Sequence, residues 1–129
     1  MATGFPAATG DVLSAAMFNG LTAFTVGTAN TADYTAVLAD QYQVLEIMNK
    51  ATAIAFKIPT NASVAFPIGT AITILNIGVG VCTISAVTSG TTTILSGGAV
   101  AAAPTLAQYK SAVCIKTGTD TWYVVGGIA

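Results

Sequence analysis

The stretch "ATAIAFKIPTNASVAFPIGTAITILN", Ala51–Asn76, decides the reading of the fold. In its first part Ile54, Phe56 and Ile58 alternate with Ala55 and Lys57, a period of two that belongs to a strand with one buried and one presented face. Pro59 to Ser63 supplies turn residues, Pro67-Ile68-Gly69 a bend, and Ile72, Ile74 and Asn76 resume the alternation. The text is apolar enough to raise the question of a membrane. The longest such run, Val64 to Val87, is broken by Pro67, Gly69, Asn76, Gly78 and Gly80, which excludes a spanning helix. A membrane barrel needs longer alternating strands and aromatic girdles than this chain offers.

The same period extends outward in both directions. Strands are expected at Tyr34–Leu38, Gln43–Asn49, Ala53–Ile58, Ala71–Ile77, Val81–Val87, Thr91–Leu95, Tyr109–Lys116 and Thr121–Val125. In the seventh, Tyr109, Val113 and Ile115 oppose Lys110, Cys114 and Lys116, which makes the apolar set the buried face. Turn chemistry separates the strands, at Asn49-Lys50, Gly78-Val79-Gly80, Ser89-Gly90, Gly97-Gly98 and a hairpin loop Thr117–Asp120. With about eight short strands and no room for crossover helices, the expected class is all-β: an antiparallel β-sandwich or jelly-roll-like barrel. No internal repeat indicates a solenoid. Residues 31–129 form this β domain. Residues 1–30 read as an N-terminal arm with a short helix in "TGDVLSAAMFNGL", capped by Thr9 or Asp11 and stopped at Asn19-Gly20. The alanine-rich Gly97–Gln108 is too long for a simple turn, and is either a contact loop or the closure of one barrel end.

Charge narrows the function. The 129 residues hold 4 lysines, 5 acids, and neither Arg nor His. Small soluble domains dress their surface with about a quarter to a third charged residues, so much of this surface is expected to be covered by other subunits. Four lysines at a net charge of −1 leave no footprint for nucleic acid. The start of the chain has no basic segment or sustained apolar run, so neither signal peptide nor anchor is expected and synthesis is placed in the cytoplasm; the Asn61-Ala62-Ser63 sequon is then incidental. Cys82 and Cys114 read as small buried residues, with a disulfide as the alternative. No metal, cofactor or catalytic residue is expected: His is missing, the acids form no close pair in sequence, and no serine or threonine has a recognisable base. Glu46, alone among apolar residues in its strand, reads as an outward or interface residue more readily than as a general base. Gly78-Val79-Gly80 lacks the third glycine and following helix of a dinucleotide loop. Trp122 reads as core, beside a half-buried Tyr123.

The segments "YTAVLAD" and "VLEIMNKATAIAFKIPTNASVAFPIGTAITILNIGVG" within Tyr34–Gly80, together with "YKSAVCIKTGTDTWYVVGGI", Tyr109–Ile128, resemble a β-rich module of tailed-bacteriophage virion proteins, found in tail fibres and small head-decorating proteins. "GDVLSAAMFNGL" is similar to the openings of phage appendage proteins; Val81–Gln108 matches less clearly. The resemblance implies a homotrimer attached to a virion by a terminal segment. With a Met start and an end just after the closing hairpin, the chain is expected to be a self-contained capsid decoration (cement) protein. It would bind the outside of the major capsid protein shell and stabilise it by bridging capsomers. Phe5, Val12, Leu13, Met17, Phe18 and Phe24 are the expected arm contacts. The alternatives are a receptor-binding fibre module that meets a cell-surface glycan, and a fragment of a polysaccharide-active enzyme.

Overall fold

The computed structural model describes residues 24–97, 99–100 and 103–128. The strands are β1 (Thr25–Val26), β2 (Tyr34–Thr35), β3 (Val44–Met48), β4 (Ile54–Ile58), β5 (Ala71–Asn76), β6 (Cys82–Ala86), β7 (Thr93–Ser96), β8 (Ala99–Val100), β9 (Thr105–Leu106), β10 (Lys110–Gly118) and β11 (Thr121–Gly126). A single 3-10 turn, Leu38–Gln41, lies between β2 and β3. All eight expected strands are present, the first only as Tyr34–Thr35, because Leu38, expected to end it, opens the 3-10 turn. β8 and β9 form inside the stretch read as a loop, and β1 lies in the part of the arm that is described. The helix expected within residues 1–23 lies outside the described residues.

Two sheets face one another across the core. One has seven strands in the order β1-β3-β5-β10-β11-β7-β8, the other four in the order β2-β4-β6-β9. The β-sandwich is therefore observed, but it is mixed rather than antiparallel. β1, β3 and β5 run parallel in the larger sheet, β2, β4 and β6 run parallel in the smaller, and β7 lies parallel to β11. From β1 to β6 the chain crosses between sheets at every step. Each strand in one sheet is thus the crossover between two parallel strands of the other, and no helix is needed. Leu45 pairs with Thr73 and Ile54 with Cys82, both 28 positions on (73 − 45, 82 − 54). This winding is a structural repeat that the sequence does not display, because the two turns share a backbone path and an inward face but few residue identities.

Short corners make the winding possible. Ile77 N–H donates to Met48 O at 2.9 Å, and Gly80 N–H donates to Lys50 O at 2.9 Å, so the corner after β5 stacks directly on the one after β3. A Cβ at Gly80 would meet Thr52 O at 1.8 Å and one at Gly78 would meet Lys50 N at 2.3 Å, which is why this corner carries glycine. Asn76 is fully buried beneath it. Its Nδ2 donates to Gly80 O and Leu106 O, both at 2.9 Å, and its Oδ1 accepts from Gly78 N–H at 3.0 Å.

The core follows from alternation. Ile54, Phe56 and Ile58 of β4 and Cys82 and Ile84 of β6 meet Met48, Ile72, Ile74, Cys114, Trp122 and Val124 from the larger sheet. Trp122 is a core residue, as expected, with the Phe66 ring edge-on to it at 5.5 Å. Cys82 and Cys114 are free, buried thiols, and burial pushes the Cys82 pKa up to about 11. The hairpin is present where expected, with Gly118 paired to Thr121 and an irregularity after Lys116.

Two faces are assigned differently from the expectation. In β10 the buried row is Ala112, Cys114 and Lys116, while Val113 and Ile115 point outward. Glu46 is also buried, on the inward row of β3 with Met48. The strand period was legible in both cases. The face was not, because each buried polar group finds its partner outside its own strand.

Candidate functional site

The outward rows of the larger sheet are the most unusual surface among the described residues. Pairing aligns Val26, Leu45, Thr73, Val113 and Val125 in one row across five strands. A second row holds Ala71, Ile115, Tyr123 and Leu95, and a third Ile47, Leu75 and Ser111. None of these twelve positions is charged. Val26, Tyr123 and Val125 are exposed, and the other large apolar side chains are half-buried by one another. At about 4.8 Å per strand spacing and about 7 Å per row, the face covers on the order of 500 Å², near the upper end for the largest apolar patch on a monomer.

Phe24, the one expected arm contact among the described residues, stands just before β1 at the edge of this face and is 55% exposed. Phe5, Val12, Leu13, Met17 and Phe18 lie outside the described residues. Residues 24–30 continue along the sheet: Thr25 and Gly27 N–H donate to Gln43 O and Leu45 O, and Asn30 N–H to Ile47 O.

An acidic cluster forms where the sequence shows no pair. The 3-10 turn folds Asp40 inward, where its Oδ2 accepts from Tyr34 Oη at 2.8 Å and from Val37 N–H at 2.9 Å. Glu46 lies beside it and accepts from Asn30 Nδ2 at 3.4 Å. Burial, and then the adjacent Asp40 carboxyl, push the Glu46 pKa up to about 7. Burial and the same carboxyl raise Tyr34 above the usual phenol range. A carboxyl poised near neutrality next to another can hold a shared proton and has the titration of a general base. Both carboxyls are sealed inside the sandwich, at 3% and 5% exposure, so in this geometry they fasten the first winding to β3. The period of two was legible, but the inward phase that puts Glu46 on the Met48 side of its strand is set by the 3-10 turn that brings Asp40 to it.

The end of the sandwich near β6 and β7 carries a shallow recess of about 140 Å³. Ser85, Ser89, Thr92, Ile94 and Ala103 line it, and no charged group is among its lining residues. Among the described residues, no three His, Cys, Asp or Glu converge as metal ligands, and no helix is long and apolar enough to cross a membrane. Compared with known proteins, the chain matches no family model, no curated protein and no solved structure.

Proposed function

We propose that the protein is a structural virion protein of a tailed bacteriophage. It acts as a capsid decoration (cement) protein that self-associates, as a homotrimer, and binds the major capsid protein shell to bridge capsomers. The observation that carries this reading is the uncharged outward face of the seven-stranded sheet. A subunit that buries such a face against copies or shell gains roughly 25 cal/mol per Å² of apolar area, and dilute charge elsewhere costs little when neighbours replace solvent. The phage-module resemblance of Tyr34–Gly80 and Tyr109–Ile128 supports the virion context. The action is mechanical: each bridge contributes contact area that exists only in the assembled shell, and symmetry multiplies a few kcal/mol per site.

Two measurements test it. Light scattering of the purified chain should give a trimer mass, and Val113→Glu, placing a carboxylate mid-face, should give a monomer. Purified phage shells should co-sediment the wild-type chain but not a chain lacking residues 1–23, a truncation that preserves β1 and is checked for folding by circular dichroism. A wild-type monomer that ignores shells and binds a glycan array would instead support the fibre-module reading.

A further inference from the structure

Lys116 is 2% exposed on the inward row of β10. Its Nζ donates to Asn61 Oδ1 at 2.6 Å and to Phe66 O at 2.7 Å, both on the loop between β4 and β5. No carboxylate among the described residues lies within 4.0 Å of it; the one ion pair they form joins Lys57 to Asp33 at the surface. An ammonium buried without a counter-charge is costly, and burial holds the Lys116 pKa below its ordinary value, against an opposing pull from Asp120. In its deprotonated form this amine is a nucleophile, and the one side-chain group it touches is the Asn61 carboxamide.

We propose that Lys116 and Asn61 become joined by an intramolecular isopeptide bond that the folded protein makes itself. The carbonyl bond is about 1.2 Å long, which puts Asn61 Cγ no more than about 3.8 Å from an amine 2.6 Å from its oxygen, close to the distance of a near-attack geometry. The Nζ lone pair adds to Cγ, the Cγ–Nδ2 bond breaks, a proton passes from Nζ to the departing nitrogen, and ammonia leaves. Atoms and electrons balance without an oxidant or cofactor. Asp120 is the positioning residue: its Oδ1 accepts from Asn61 N–H at 2.8 Å and Thr92 Oγ1 at 3.4 Å, which holds the carboxamide's backbone in place. Phe66 and Trp122, the latter paired with Lys116 in register, wall the group from water. The resulting link would span 55 positions and tie the β4–β5 loop to the closing hairpin. It stands independently of the virion reading.

Intact-mass spectrometry of the purified full chain tests this directly. The bond predicts a mass below that of the sequence by about 17 Da, the mass of ammonia. Cyclisation at Asn19-Gly20 would lose the same mass, so a tryptic digest must locate the loss. With the bond, Lys116 resists cleavage and residues 58–110 are recovered joined to residues 111–129. Lys116→Met and Asn61→Ala should each restore the full mass, and Asn61→Asp should lose about 18 Da as water leaves instead. Asp120→Ala should lower the fraction joined at a given time after refolding. Wild-type protein that keeps its full mass and releases free 111–116 after prolonged incubation at pH 8 overturns the proposal, however the variants behave.

Discussion

Replacing Asn76 tests the stacked corners more severely than any core truncation. The side chain has no solvent contact and three hydrogen bonds to backbone groups of two segments, the corner at Gly78 and Gly80 and the strand at Leu106. In Asn76→Ala those groups stay buried and lose their partner, and each orphaned group costs about 1–2 kcal/mol. The expected loss is therefore about 3–6 kcal/mol, a large part of the stability of a small domain. Asn76→Asp separates hydrogen bonding from packing: shape is kept, but a carboxylate oxygen replaces the donor to two carbonyls, and the loss should equal or exceed that of Ala above pH 6. Outward-facing Thr73, on the same strand, is the control, with Thr73→Ala costing under about 1 kcal/mol. Urea unfolding followed by Trp122 fluorescence measures all three, at one protein concentration so that self-association does not bias the comparison. If Asn76→Ala and Asn76→Asp both cost less than about 1 kcal/mol, the corner does not depend on this side chain and the account of the winding is wrong.

The remaining predictions concern charge, approach and access. Folded Glu46 keeps its proton to about pH 7, whereas its ordinary value is 4.5, so folding takes up a proton in that window. Its contribution is complete below about pH 4.5 and is lost as pH rises through 7; wild-type stability should fall by roughly 2 kcal/mol from pH 5 to pH 8, and Glu46→Gln should flatten that slope. Gly80→Ala drives a methyl into Thr52 O and should cost at least about 2 kcal/mol by urea melt, while Gly90→Ala, in open space at positive φ, should cost about 1 kcal/mol through backbone strain alone. Cys82 and Cys114 should resist a thiol reagent in native buffer and react fully in denaturant; rapid native labelling would contradict their burial.

Much of the architecture was legible in the residues. Period-two alternation in "IAFKI" and "ITILN" located strands because a pleated chain can bury only every second side chain, and Pro67 with Gly69 excluded a spanning helix on steric and hydrogen-bonding grounds. The hairpin at Thr117–Asp120 and the burial of Trp122 followed from equally local rules. Strand direction did not. Antiparallel pairing was inferred from the absence of helices, yet a strand in the opposite layer serves as the crossover, and nothing in one strand's residues records the direction of its neighbour.

The candidate sites divide in the same way. The sequence by itself determined that the chain is all-β, poor in charge, without histidine chemistry, and apolar on alternating positions, since these depend on composition and nearest neighbours. Only the tertiary structure decided which face is inward. Val113 and Ile115 look outward beside Leu45, Leu75 and Val125 because Lys116, on the opposite side of the same strand, finds Asn61 and Phe66 some fifty positions away in the chain. Asp40 meets Glu46 because a 3-10 turn folds back on β3. Alternation has two phases of equal period, and a buried polar partner supplied from outside the strand selects between them.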